Sequence, residues 1–514
     1  MRTLDLAVIG IYLVAITWFG TRFRRGQKTL RDYFLGGRTA PWWAIALSIV
    51  SAETSTLTIV GTPALAFNGN LGFLQIVLGY LVARIAISVL FLPQYFRGEM
   101  FTAYELMRRR FGARIGKLTA SIFLVTRALA EGVRVFAISL VIGIVLGTGE
   151  VASIVLIVVL TLFYTFEGGM TAVIWTDVVQ MSLYVFGAVV SFWVILGHIP
   201  GGWSHVAALA GAAGKFKIFD FHSSLTMAFF SRSYTFWAGL AGGCFLTMAS
   251  HGTDQLMVQR LLSARGERQS RAALMGSWVV IATQFTLFLL IGVLLWVYYQ
   301  DRHLVPPART DQIYPAFIWS NLPTGLAGLI MAAILAAAMA NLSAALNSLA
   351  STTVVDIWRA VGSDQASRDE AQRLRMARWA TVAWGAVLLA IAIVSARVSH
   401  SVLEAGLTIG SIPAGALLGV FLLGVLTTRP GEAAAIAGVV AGLVAIVLII
   451  WRTPIAFTWY VLIGTVATFT VGLAASWFER REPPEEVGVR EPAGRLPYRP
   501  PESARRPRPH TGEE

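Results

Sequence analysis

Apolar runs of about twenty residues recur along nearly the whole chain and are separated by short polar breaks. A helix of about twenty residues crosses the hydrocarbon core of a bilayer. With 56% hydrophobic and 13% charged residues, the chain has little surface suited to water. The sequence therefore predicts an all-α polytopic membrane protein with about 13 transmembrane helices. The runs begin near residues 5, 42, 72, 118, 151, 173, 230, 275, 324, 378, 401, 433 and 455.

Basic residues are concentrated in alternate connections between these runs. Lys and Arg number six in residues 22–41, six in 94–117, four in 259–275 and five in 357–379. Such an asymmetry marks the cytoplasmic loops of membrane proteins, and it accounts for the net charge of +13 without a nucleic-acid partner. It predicts a plasma-membrane or inner-membrane location, with the N-terminus outside and the C-terminus in the cytoplasm.

Motifs of soluble catalysis are absent from the sequence. It contains no GxxxxGK[ST] phosphate loop, no HExxH, no paired CxxC and no large soluble segment. These absences argue against an enzyme and against a pump that hydrolyses ATP. The single Cys244 rules out an intramolecular disulfide and is expected to pack within a span.

The composition divides the chain into two parts. Residues 1–479 carry all the apolar runs and are predicted to form one transmembrane domain. Residues 480–514 are rich in Pro, Arg and Glu, and too few apolar residues remain there to offset the entropy of the chain. We therefore predict a disordered cytoplasmic tail over residues 480–514.

The span at residues 42–67 carries an unusual polar centre. Its middle contains Ser51, Glu53, Thr54, Ser55, Thr56 and Thr58. A carboxylate at the centre of a membrane helix costs roughly 2.5 to 3.5 kcal/mol on insertion scales. A water-filled cavity, a partner charge or a local unwinding of the helix would compensate for this cost. We therefore expect this span to contribute to the functional site.

Other ionisable residues also fall within predicted spans. They are Arg84, Arg127, Glu131, Arg134, Asp177, His251 and Asp254. Arg127, Glu131 and Arg134 share one helical face. They either neutralise one another or leave a surplus cation that lines a cavity and favours an anionic solute.

Arg84 is expected to snorkel or to pair with Glu131 or Glu53. A position near cytoplasmic helix ends would explain Asp177 and Asp254, because a solvated carboxylate needs little compensation.

A second polar span contains glycine interruptions. Residues 230–258 include GLAGGCFLTMASHGTDQ and lie five spans after the first polar span. Corresponding interruptions in two halves indicate an inverted repeat with a binding site between them at the middle of the bilayer. The sequence thus predicts core repeats at about residues 42–199 and 230–428.

Several phrases together resemble the sodium:solute symporter family. They are RDYFLGGRTAPWW (31–43), YELMRRRFG (104–112), GGMTAVIWTDVVQ (168–180), NLSAALNSLASTTVVDIW (341–358) and GALLGVFLLGVLTTRPGEAAAIAG (415–438). The resemblance extends from about residue 5 to 480. It implies the inverted five-plus-five helix core shared with the leucine transporter. It also implies ion-coupled symport, since relatives carry sugars, proline, sialic acid, iodide, vitamins or monocarboxylates.

The resemblance further implies an ion site. Sodium ligands of the family fall on Ser51 and Thr54 of the first polar span, and on Ala337, Ala340 and Asn341 of a later one. Relatives usually have Ser or Thr at the last two positions, whereas Ala340 offers no side-chain oxygen and Asn341 offers an amide carbonyl. A second sodium position of some relatives falls on Asp177, Ser343 and Ala344.

These inferences combine into a sodium-coupled symporter that imports a small polar or anionic solute by alternating access, with Na⁺ as the coupling ion. The expected substrate contacts are Glu53, Ser55, Gln75, Arg127, Ser250 and His251. The expected sodium contacts are Ser51, Thr54, Ala337 and Asn341. Partners are the solute and the lipid bilayer, and no protein partner is indicated. The alternatives are a proton-coupled or sodium-independent transporter, in which Glu53 titrates, and a transporter-like membrane sensor.

Overall fold

The computed structural model describes residues 3–98, 100–146, 149–224, 226–307, 310–358, 370–397 and 401–479. The predicted tail at 480–514 lies outside the described residues. Within the described ranges the regular structure is helical, apart from an isolated β-bridge between Ala40 and Ala264. The predicted all-α class is therefore confirmed.

The main helices follow one another along the chain, and the longer connections contain shorter helices. They are α1 Thr3–Thr21, α2 Trp42–Glu53, α3 Thr56–Asn68, α4 Leu74–Leu90, α5 Ala113–Leu146, α6 Glu150–Gly197, α7 Gly243–Gly252, α8 Gln255–Leu262, α9 Glu267–Asp301, α10 Leu326–Thr352, α11 Glu370–Arg397, α12 Ser401–Leu426, α13 Glu432–Arg452 and α14 Tyr460–Ala475. Shorter helices are Leu30–Leu35, Leu92–Tyr95, Tyr104–Phe111, Gly202–Ala212, Met227–Phe230 and Ile313–Asn321. A π-helical turn, Ala238–Gly242, precedes α7, and another, Thr353–Trp358, follows α10.

Seven helices within the described residues are long and apolar enough to cross a membrane. Shorter apolar helices, including α2 and α4, add to them. Helix α6 combines two predicted spans and is kinked at Gly169, where φ is 52°. A Cβ at Gly169 would lie 2.6 Å from Tyr33 O, so only glycine fits this close contact. The total of about 13 spans remains a prediction.

The first polar span is a broken helix. Helix α2 ends at Glu53, and Thr54 and Ser55 are extended, with ψ of 103° and 165°. Ser55 begins α3 as its N-cap: its Oγ accepts from Thr58 N at 3.3 Å. Thr58 Oγ1 in turn accepts from Ser55 N at 3.3 Å. This capping box stabilises the second half of the helix and fixes where it begins.

The second polar span is also broken, but not at its glycines. The break lies at Thr253 and Asp254, between α7 and α8, and Asp254 Oδ1 caps α8 by accepting from Leu256 N at 2.9 Å. The glycines before α7 have a different role, since they allow close packing against α4. A Cβ added to Gly79 of α4 would lie 2.8 Å from Cys244 N, and one on Gly239 would lie 2.7 Å from the Gln75 carbonyl carbon.

Helix α10 forms the centre of the bundle. The membrane-spanning window of this helix is 94% buried, and it packs against α6, α1 and α5. Alanine occupies many of its positions, from Ala332 to Ala350. Small side chains let membrane helices approach closely where no hydrophobic effect drives their association.

Asp5 ties the first helix to this central helix. It is 1% exposed, and its Oδ1 accepts from Gly325 N at 2.6 Å and from Gly328 N at 2.7 Å. These amides belong to the N-terminus of α10, where backbone N–H groups lack intrahelical partners and the helix dipole favours negative charge. The carboxylate therefore serves as a cap supplied by a different helix.

Replacing this cap should destabilise the protein. Asp5→Ala leaves two buried N–H groups without their acceptor, so the free energy of unfolding should fall by about 1 to 3 kcal/mol. Thermal unfolding of purified protein in detergent measures the change. Ile11→Ala is the matched control, because Ile11 lies on the same helix and is 69% exposed. Equal unfolding temperatures for the two variants would show that the cap contributes no net stability.

Candidate functional site

Glu53 lies at the first helix break and pairs with a buried arginine. Arg84 of α4 is 0% exposed, and its Nη2 donates to Glu53 Oε2 at 2.8 Å. Arg84 Nε donates to Ser277 Oγ of α9 at 3.1 Å. Of the partners predicted for Arg84, the structure selects Glu53. This ion pair makes the burial of both charges tolerable, since each offsets the desolvation of the other.

His251 joins the same cluster from the second broken helix. Its Nε2 lies 3.3 Å from Glu53 Oε2 and 3.4 Å from Arg84 Nη2. Its Nδ1 lies 2.9 Å from Ser250 Oγ. Three predicted substrate contacts, Glu53, Ser250 and His251, are thus brought together where the two broken helices meet.

A cavity of about 260 Å³ lies beside this cluster. Its walls come from α5, from the α7–α8 break and from α12. Its polar lining consists of Thr126, Arg127, Arg134, Ser250, Thr253 and Asp254. Arg134 Nη1 donates to Glu131 Oε2 at 3.1 Å, whereas the buried Arg134 Nε has no hydrogen-bond partner. Arg134 therefore contributes a guanidinium that is paired with Glu131 to the lining of a polar cavity.

The charges around this cavity balance. Arg127 forms an ion pair with Asp254 across the second helix break and lies 4.0 Å from Glu131. The sequence predicted either internal neutralisation or one surplus cation on this face. The sequence suggests a solvated Asp254 near a cytoplasmic helix end, whereas the structure places it at the break between α7 and α8, where its pairing with Arg127 supplies a negative charge to this face.

Asp177 is also placed differently from the sequence expectation. It is 0% exposed, and its Oδ2 accepts from Arg260 Nη2 at 2.8 Å and from Ser48 Oγ at 2.5 Å. The carboxylate therefore has an internal cationic partner and is not solvated. Ser343, the other residue suggested for a second sodium position, donates its hydroxyl to Ala340 O within its own helix at 3.0 Å.

The four residues suggested for sodium lie at the contact between the first break and α10. Asn341 Nδ2 donates to Thr54 O at 2.8 Å and to Ala337 O at 3.0 Å. The sequence predicted that the amide oxygen of Asn341 would be a ligand, but its NH₂ group faces these carbonyls instead. Ser51 Oγ is buried and has no hydrogen-bond partner.

Gln284 of α9 completes this region. Its Nε2 donates to Thr54 Oγ1 at 2.7 Å, while its buried Oε1 is without a partner. Hydroxyl, amide and carbonyl oxygens are the ligands that hard cations prefer. The donor set of this region therefore fits sodium.

The two remaining predicted substrate contacts, Ser55 and Gln75, form hydrogen bonds within the protein. Ser55 caps α3, as described above. Gln75 is 1% exposed, and its Nε2 donates to Gly72 O at 3.0 Å and to Tyr234 O at 3.2 Å. Its Oε1 accepts from Asp220 N at 2.9 Å. Gln75 therefore holds the segment before the second broken helix and has no free hydrogen-bonding group to offer a solute.

Sequence reasoning missed Arg260 and Gln284 at this site. Arg260 was counted with the basic residues of a cytoplasmic loop, yet it is 1% exposed. The apolar residues around it in QLMVQRLL indicated burial. Gln284 lies in a long apolar helix, where a single amide gave no distinct signal.

The chain is similar to known transporters over most of its length. It is 29% identical over 494 residues to the sodium/sialic acid symporter NanT of Aliivibrio fischeri, covering 94% of this chain and 95% of that protein. It is also 29% identical over 459 residues to the sodium/iodide cotransporter of Homo sapiens, covering 85% of this chain and 68% of that protein.

Solved structures are similar in fold as well. A Na⁺-coupled sialic acid symporter in a substrate-bound outward-open state has a TM-score of 0.83 and 27% identity, covering 93% of this chain and 98% of that one. Mhp1, a nucleobase-cation-symport-1 family transporter, has a TM-score of 0.57 and 12% identity, covering 88% of this chain and 94% of that one. The Mhp1 likeness concerns the fold alone.

The sodium:solute symporter family model matches residues 33–442. This family consists of membrane transporters, and its name states the coupling ion. The match and the relatives confirm the prediction of a multi-pass, sodium-coupled symporter. The chain belongs to the sodium:solute symporter family.

Proposed function

We propose that this symporter drives the uptake of a small carboxylate-bearing solute, which binds in the cavity between α5, the α7–α8 break and α12. The observation that carries this proposal is the side chain of Arg134, which is 27% exposed and belongs to the polar lining of the cavity. Guanidinium groups bind carboxylates through parallel hydrogen bonds. A carboxylate of a solute in the cavity would accept hydrogen bonds from this side chain.

The size and charge of the cavity narrow the class of solute. Its volume of about 260 Å³ lies just below the usual range of ligand pockets, about 300 to 1,000 Å³, which favours a small molecule. The charged residues around the cavity already pair with one another. A solute carboxylate must therefore displace a carboxylate from an arginine, or accept a hydrogen bond from a donor that is not yet used. Thr126, Ser250 and Thr253 offer hydroxyl groups for the rest of the solute.

The proposed sodium position is the contact between the first helix break and α10, with Ser51, Thr54, Ala337 and Asn341 as ligands. Buried oxygens without partners, on Ser51 and Gln284, support this position. Asp177 and Ser343 are not part of the proposal. Arg260 already neutralises Asp177, and a carboxylate with a buried cationic partner is a poor ligand for a second cation.

Sodium at this position would couple to the solute through the broken helices. An ion that binds only one conformation shifts the population toward it, and the solute and the ion then strengthen each other's binding reciprocally. One charge moving across 100 mV contributes about 2.3 kcal/mol to accumulation of the solute. The proposed repeats at residues 42–199 and 230–428 would each contribute one broken helix to the site.

Proton coupling is the second candidate function, and one arrangement favours it. Ser250, His251 and Glu53 form a continuous hydrogen-bonding chain at the meeting point of the broken helices. Glu53 is 13% exposed, so water can reach the end of the chain. Such a chain can bind and release a proton when Arg84 moves away.

Substitution of Arg134 tests the solute proposal. Arg134→Gln removes a charge-assisted hydrogen bond worth about 1.5 to 3 kcal/mol, so carboxylate binding should weaken about 10- to 100-fold. Arg134→Lys keeps the positive charge but lacks the planar guanidinium, so its affinity for carboxylates should lie between those of wild type and Arg134→Gln. The measurement is a thermal-shift or calorimetric titration with a panel of carboxylates and neutral sugars. Unchanged carboxylate affinity in Arg134→Gln would reject the proposal.

Glu53 needs a pair of variants, because its loss leaves Arg84 buried without a counter-charge. Glu53→Gln alone should lower both stability and transport, since removing one partner of a buried ion pair costs about 3 to 5 kcal/mol. The double variant Glu53→Gln with Arg84→Met should recover stability but not transport. Transport that returns together with stability would make Glu53 a structural residue. Uptake that follows a pH gradient and ignores sodium would favour the proton-coupled function.

The proposed topology predicts the labelling of introduced cysteines. On a Cys244→Ala background, Arg109→Cys should react with an impermeant thiol reagent only from the cytoplasmic side. Val305→Cys is the external control, because Val305 is 90% exposed and lies in residues 300–323, a connection between two basic loops that the charge asymmetry predicts to face outside. External labelling of Arg109→Cys would reverse the assigned orientation.

A further inference from the structure

The side-chain amide of Asn341 lies between two backbone carbonyls that the proposed function assigns to sodium. Its Nδ2 is 2.8 Å from Thr54 O and 3.0 Å from Ala337 O. The residue is 4% exposed and lies in α10, the most deeply buried membrane-spanning helix. A neutral donor group thus contacts both carbonyls in this structure.

The chemistry of an amide explains how this group replaces an ion. An NH₂ group carries two donors with partial positive charge, whereas the hydroxyl of Ser or Thr carries one. Thr54 follows the end of α2, where carbonyl groups lose their intrahelical donors. A buried carbonyl without a partner is costly, so an unwound helix in a membrane requires a donor or a cation at this point. Asn341 provides the donor from within the chain.

We propose that Asn341 is a built-in competitor of sodium as well as one of its ligands. Without the ion, its NH₂ group holds Thr54 O and Ala337 O together and stabilises the contact between the first break and α10. Sodium binds only after the amide has turned and presents Oδ1 in place of the NH₂ group. The turn changes little in shape, because the amide oxygen and nitrogen are nearly equal in size.

This inference rests on the proposed sodium position and adds a consequence for coupling. Each sodium ion must displace two hydrogen bonds before it gains its ligands, so its affinity is lowered. The same two hydrogen bonds would hold the first break against α10 whenever sodium is not bound. Part of the solute uptake should therefore be independent of sodium.

The test uses purified full-length protein and needs no solute. Thermal stability is measured while sodium chloride replaces choline chloride at constant ionic strength, in wild type, Asn341→Ser and Asn341→Asp. Asn347→Ser is the matched control, because Asn347 is buried in the same helix and its Nδ2 contacts Met170 Sδ at 3.1 Å, not Thr54. The half-maximal sodium concentration and the unfolding temperature in choline are the two readouts.

We expect Asn341→Ser to unfold at a lower temperature in choline and to reach half-maximal stabilisation at about five- to tenfold less sodium than wild type, which corresponds to one lost competing hydrogen bond. Asn341→Asp should behave likewise and more strongly, since its carboxylate binds sodium and cannot donate. Asn347→Ser should leave the half-maximal concentration unchanged.

Two results would overturn the inference in distinguishable ways. If wild type responds to sodium but both Asn341 variants need the same or more of it, the amide is a ligand without being a competitor, and the proposed sodium position stands. If neither wild type nor the variants respond to sodium, the proposed sodium position itself fails, and the inference fails with it.

Discussion

The arrangement depends on one constraint: a backbone that unwinds inside a membrane must find partners for its polar groups within the protein. Helix α2 ends at Glu53, and the next two residues are extended. The Thr54 carbonyl is satisfied by Asn341, its hydroxyl by Gln284, and the Ser55 side chain by its own capping box. The break therefore brings α9 and α10 to the same place, and the proposed ion site follows from this requirement.

The buried charges follow a related rule. Three carboxylates near the breaks have a cationic partner on another helix: Glu53 with Arg84, Asp254 with Arg127, and Asp177 with Arg260. Breaking such a pair costs about 3 to 5 kcal/mol, whereas keeping it adds little net stability. These pairs therefore determine which helices pack together, and they add little to the net stability of the fold.

Much of the fold could be predicted from the sequence, because hydropathy and charge asymmetry are local properties. Both polar spans contain breaks, and Glu53, Ser250 and His251 do come together. The partners of Asp177 and Asp254 could not be predicted, since they depend on which helices are neighbours. The sequence predicts an interruption at the glycines of 239–243, whereas the structure shows a close helix contact there. Glycine is compatible with both, so the sequence alone does not distinguish them. The orientation of the Asn341 amide is likewise a tertiary property.

The glycine contact between α4 and α7 has a mechanical consequence. With a Cβ on Gly79 only 2.8 Å from Cys244 N, the two backbones interlock, and they cannot slide past each other without losing the contact as a whole. We therefore expect α4 and α7 to move together when the site changes the side to which it opens. Arg84 belongs to α4 and His251 to α7, whereas Glu53 lies at the end of α2. The bonds from Arg84 and His251 to Glu53 then connect this pair of helices to α2, and we expect them to break when the two parts separate. Glycine at position 79 sets the spacing within the pair, because any side chain there would push α4 and α7 apart.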